Sequence, residues 1–107
     1  EGDATYRPQV LAINDILKKA GLGLGYRVMR EVELYLANSA GLLEPAVAFD
    51  LQVKQRILPR LRGTLTLRDT LRELNAFLKG NNLTRSADRL DEMETRLTRD
   101  GYTSFWR

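Results

Sequence analysis

Gly21-Leu22-Gly23-Leu24-Gly25-Tyr26-Arg27-Val28-Met29-Arg30-Glu31-Val32 runs from a glycine-punctuated connector straight into the first turns of an amphipathic helix. Upstream of it, Pro8 suits a first helical position, and Val10, Ile13 and Leu17, with Leu11 and Ile16, make an apolar stripe that stops at Gly21. Downstream, Val28, Val32, Tyr35 and Leu36 keep helical spacing from about Tyr26 to Ala37, and Asn38-Ser39-Ala40-Gly41 ends the run. Two helices joined by a glycine turn make this an all-α pattern from the start.

The rest of the chain repeats the theme. A third helix is predicted from Glu44-Pro45, carrying Val47, Phe49, Leu51, Val53, Ile57 and Leu58 up to Pro59, which either kinks it or bounds it at Leu58. After Arg62-Gly63, Thr64 or Thr66 is the candidate cap of a fourth helix with Leu67, Leu71, Leu74, Phe77 and Leu78 on one face, closed by Gly80-Asn81-Asn82. Ser86 is the candidate cap of a fifth, with Ala87, Leu90, Met93 and Leu97 on its stripe and Gly101 as its stop. The tail Tyr102-Thr103-Ser104-Phe105-Trp106-Arg107 has no helical pattern and reads as an aromatic anchor folded back on the body. The expectation is one helical domain of about five helices over 1–107, with Val10, Ile13, Leu17, Val32, Leu36, Ile57, Leu71, Leu74, Leu90 and Leu97 buried.

Composition narrows the chemistry. At 107 residues and 43% hydrophobic content the chain suffices for one core. It has no cysteine and no histidine, which removes disulfides, thiolate nucleophiles, the usual general base and the common zinc ligands together, so no metal site is expected. No apolar run approaches a membrane span, and the start Glu1-Gly2-Asp3 carries neither an initiator methionine nor a leader pattern. These features point to a cytoplasmic protein without membrane contact, and to a piece of a longer one. The formal charge of +3, from 17 basic and 14 acidic residues, mixes both signs along most segments and singles out no nucleic-acid binder.

Two clusters stand out as candidate sites. Arg27 lies in the first turn of a helix, where unpaired N–H groups and the positive dipole end favour a phosphate, and Glu31 follows one turn later. The same pair also reads as an ordinary solvated i,i+4 couple. Lys54, Arg56, Arg60 and Arg62, with Arg68 and Arg72 beyond, form the densest positive segment: either a solvated face or a contact surface for a neighbouring subunit or an acidic partner, rather than for DNA bases. The glycine connector lacks the Lys-Ser or Lys-Thr of a P-loop and precedes no parallel-strand pattern, so it reads as a helix-helix turn and hinge.

The run Gly25-Tyr26-Arg27-Val28 with Glu31, the segment Ala48-Phe49-Asp50-Leu51-Gln52-Val53-Lys54-Gln55-Arg56-Ile57-Leu58-Pro59-Arg60-Leu61-Arg62-Gly63, and the terminal Gly101-Tyr102-Thr103-Ser104-Phe105-Trp106 together resemble the C-terminal part of McrB-type AAA+ proteins. These are the nucleotide-driven motor subunits of modified-cytosine-dependent restriction systems. The resemblance implies a small helical lid plus C-terminal helices of a ring-forming NTPase in an anti-phage defence system. Under it Arg27 matches the sensor-2 arginine that reports the γ-phosphate, and Glu31 is placed to orient it. Leu24 departs from the phenylalanine often found there. The resemblance further implies an upstream AAA+ core in the same polypeptide that binds ATP or GTP with Mg, while this chain alone binds no cofactor and catalyses nothing. Its partners would be neighbouring ring subunits and a McrC-like nuclease subunit, with DNA met only through the assembled complex. The alternative is a free-standing helical adaptor that binds protein or nucleic acid through its arginine-rich face.

Overall fold

A computed structural model describes residues 5–106. Five α-helices carry the chain: α1 (Arg7–Lys18), α2 (Tyr26–Asn38), α3 (Pro45–Gln52), α4 (Arg68–Gly80) and α5 (Thr84–Asp100). A two-stranded antiparallel ribbon, β1 (Arg62–Thr64) and β2 (Tyr102–Ser104), is the only sheet among the described residues. The all-α reading therefore holds, with a ribbon that helical periodicity did not foresee.

Helix ends follow local chemistry at three places. Gly21 adopts a left-handed φ of 73° after α1, its N–H reaches the Lys18 carbonyl, and the Leu22 N–H reaches that of Leu17 at 2.9 Å. That is a Schellman closure, which satisfies carbonyls the helix leaves open. Asn82 (φ 61°) does the same after α4, with Asn82 N–H on Lys79 and Leu83 N–H on Leu78. The stop at Gly80-Asn81-Asn82 is thus as expected, but its left-handed residue is the second asparagine, and Gly80 stays helical. Gly101 (φ 76°) ends α5 with its N–H on the Leu97 carbonyl at 2.8 Å.

The expected third helix is a composite. It is α-helical to Gln52, widens into a π turn over Val53–Ile57, and tightens into a 3-10 turn over Leu58–Arg60. Pro59 explains the change: it offers no N–H, and its ring would strike the carbonyl four residues back in a continuing α-helix. The π turn spreads that carbonyl row, and the Leu58 N–H bonds back to Val53 instead. The register still buries Val53, Ile57, Leu58 and Leu61 completely.

Two expected caps are corrected. Neither Thr64 nor Thr66 caps the fourth helix: Thr64 sits in β1, the chain makes a 3-10 turn over Leu65–Leu67, and the two hydroxyls bond each other at 3.3 Å. Ser86 does not cap the fifth either, because α5 already begins at Thr84. Its cap arrives from α3. The buried Asp50 carboxylate accepts from the Arg85 N–H (2.9 Å), the Ser86 N–H (3.0 Å) and the Ser86 hydroxyl (2.6 Å), which places a negative charge on the positive end of α5.

One continuous core runs through all five helices and contains all ten apolar residues expected to be buried. α4 packs antiparallel on α5, α1 lies on α4, and α3 contacts both α2 and α5. Leu11, placed on the first stripe, faces solvent. The tail does fold back, with Thr103 and Phe105 buried and Trp106 exposed.

Candidate functional site

The connector that precedes Arg27 is held rather than loose. Asn14 of α1, itself buried, accepts the Leu24 N–H at 2.6 Å, and Leu24 is buried beneath the turn. A Cβ on Gly23 would come within 3.0 Å of the Lys18 Cγ and 3.4 Å of the Asn14 side-chain oxygen, so the connector lies close against α1 and a larger residue would require the Lys18 side chain to give by a few tenths of an ångström. Asn14 sits among apolar positions of the first stripe, where its pinning role has no local signature.

Arg27 is then presented at the start of α2. Gly25, the N-cap, brings no side chain to the first turn, and the carbonyl of Gly25 takes the N–H groups of Val28 and Met29. Arg27 is exposed, and no hydrogen bond or ion pair holds its guanidinium among the described residues. Glu31 is engaged elsewhere: Arg56 donates to it at 3.0 Å, and the same guanidinium donates to Gln52 at 2.7 Å. Glu31 thus joins α2 to the π turn, and its bonded partner is Arg56 instead of Arg27. A second bridge near this helix start pairs Arg7 of α1 with Glu33 through two bonds of 2.8 and 2.9 Å, which raises the arginine's pKa further above its ordinary value.

The basic segment divides between two places. Arg56 is occupied by Glu31 and Gln52. Lys54 is half-buried on the π turn. Arg60 and Arg62, both exposed, line a concavity of about 470 Å³ with Gly21 to Gly23, Pro59, Tyr102, Ser104 and Trp106. The structure therefore brings the connector, the end of the basic segment and the aromatic tail into one groove. Arg27 is outside its lining.

A second concavity, about 520 Å³, lies against α5 and shares Tyr102 and Trp106 with the first; Arg89, Arg96, Arg99 and Asp100 complete it. Two of these arginines are structural. Arg89 donates to the Phe105 carbonyl and lies over the Phe105 ring at 4.4 Å, and Arg96 donates to the Ser104 carbonyl at 2.7 Å. They clamp the tail strand onto α5. Arg99 holds Asp100 by two bonds of 2.9 and 2.8 Å, and its hydrogen bonding keeps the Asp100 carboxyl below its ordinary pKa. The meeting of Tyr102 and Trp106 with Arg60 and Arg62 escaped the reading of the sequence. Thr103-Ser104-Phe105-Trp106 alternates inward and outward in the fold, but as two polar residues followed by two aromatics it shows no alternation in the sequence.

Among the described residues no group of three or more acidic, cysteine or histidine side chains is placed to hold a metal, and no helix is long and apolar enough to cross a membrane. No match was found among curated proteins or among solved structures. A family model does match, over residues 3–102, described as Domain of unknown function (DUF8727). Because that match takes in all five helices and the first residue of the closing strand, the chain belongs to the DUF8727 family.

Proposed function

We propose that this chain is the nucleotide-sensing lid and subunit-contact domain of a McrB-like AAA+ NTPase in a DNA restriction or defence system, without catalysis of its own. The observation that carries this reading is Arg27: a guanidinium without a partner among the described residues, at the N-terminus of a 13-residue helix, on a connector pinned to the body. A guanidinium there is drawn to an anion by its own charge and by the helix dipole, and its forked donors suit two phosphate oxygens at once. A phosphate for it to meet comes, in this reading, from an AAA+ core upstream in the same polypeptide that holds ATP or GTP with Mg. Neighbouring ring subunits and a McrC-like nuclease subunit are the partners, and the compartment is the cytoplasm.

Glu31 supports the site through its bridge to Arg56, which fixes the start of α2 against the π turn. The test combines two measurements on Arg27→Ala. In the isolated domain the melting temperature stays near that of the parent, since an exposed helix-start arginine contributes little and alanine is a good helix former. In the full-length motor turnover falls by roughly a hundredfold, the usual cost of removing one charge-assisted contact at a developing anion. A domain that melts far lower while the motor turns over normally makes Arg27 a structural residue and overturns the reading.

A further inference from the structure

The antiparallel register puts Arg62 opposite Ser104 and Thr64 opposite Tyr102. Opposed residues share a face and neighbours alternate, so Thr103 and Phe105 turn into the core, while Tyr102 (50% exposed) and Trp106 (70% exposed) stand outward with Arg62. Both aromatic side chains line both concavities, which makes them a ridge between two grooves. Arg60 and Arg62 flank that ridge, and no ion pair or hydrogen bond occupies either guanidinium among the described residues. Among the described residues Asp100 is the single carboxylate in the two linings, and Arg99 neutralises it.

We propose that this ribbon face binds single-stranded nucleic acid, with bases stacked on Trp106 and Tyr102 and phosphates held by Arg60 and Arg62. Flat rings beside free guanidinium groups are what an unpaired strand needs: every base has a face to stack, and every nucleotide a charge to neutralise. A duplex hides its base faces and gains only the charge. An acidic protein would gain the charge too, but each nucleotide brings one stackable base together with one phosphate, which matches rings and guanidinium groups lying side by side in one groove. The proposal uses Arg60 and Arg62 for nucleic acid instead of a neighbouring subunit, and it is independent of Arg27 and nucleotide turnover.

Trp106 is the one tryptophan of the chain, so intrinsic fluorescence reports on the site itself. The full chain is titrated with an oligothymidylate of about 12 nucleotides. The expected result is saturable quenching of Trp106. Two phosphate contacts on a single strand give a log-log salt slope of about −1.4, hence roughly sevenfold weaker binding for a fourfold rise in salt. Arg60→Ala with Arg62→Ala removes most of that salt dependence. Trp106→Ala, followed by anisotropy of a labelled oligonucleotide, weakens binding about fivefold or more, and Trp106→Phe retains most of it. All three positions are exposed, and circular dichroism of each variant should match the parent. Absence of quenching at low salt, equal binding of a duplex of the same length, or equal quenching by polyglutamate each overturns the proposal, the last in favour of an acidic protein partner.

Discussion

Asp50 shows what a single residue contributes here. Its carboxylate is almost wholly buried, yet it accepts two backbone N–H groups and a hydroxyl from the first turn of α5, with Arg85 3.7 Å away. A capping carboxylate normally belongs to the helix it caps, so serine at position 86 attracted that role in the sequence. The true donor-acceptor set spans 36 positions, and no local pattern discloses it. Asp50→Ala leaves two helix N–H groups without their acceptor, while the Ser86 hydroxyl keeps the backbone carbonyl of residue 50 at 3.0 Å, and the expected loss is about 2–4 kcal/mol in urea denaturation. Asp50→Asn keeps the shape and one acceptor but loses the charge, so it should fall between the two. If Asp50→Ala unfolds at the parent's midpoint, the cap is ornamental.

The elements were legible wherever stop signals are local. The glycine at position 21 and the asparagines after Gly80 mark their turns in the sequence, because a left-handed residue must follow a helix that closes on itself. Pro59 announced a break but not its form, since whether a helix kinks, widens or ends depends on which side chains the core then accepts. Two glycines test the element scale with one substitution of opposite sign. A Cβ on Gly21 meets nothing within 4 Å, so Gly21→Ala suffers only the left-handed backbone, about 1 kcal/mol of destabilisation. A Cβ on Gly80 also meets nothing, but that residue is helical, so Gly80→Ala should stabilise by about 0.5 kcal/mol through helix propensity and unfolded-state entropy. Thermal melts of the two variants moving in the same direction would contradict the assignment of Asn82, not Gly80, as the left-handed stop.

At the scale of the whole molecule, the inward stripes of five helices could be read directly from 3.6-residue spacing, and the ribbon could not. β1 and β2 are three residues each and lie near opposite ends of the second half of the chain, so neither has a pattern long enough to declare itself before the two are brought together. Their pairing closes the chain: the tail returns from α5, lays Phe105 under Arg89, and leaves Trp106 outside in edge-to-face contact with Phe105 at 4.9 Å. Neighbouring aromatics therefore have opposite jobs, and their alanine variants should separate cleanly. Phe105→Ala empties a buried site and strips a cation–π partner, and is expected to lower stability by about 2–3 kcal/mol. Trp106→Ala loses an exposed ring and should change stability by less than about 1 kcal/mol. Urea midpoints of the two proteins, measured together, decide it. Equal losses would mean that both rings pack and that the outward ridge does not exist, and the nucleic-acid face would fall with it; a large loss for Phe105 alone leaves Trp106 standing free for a ligand.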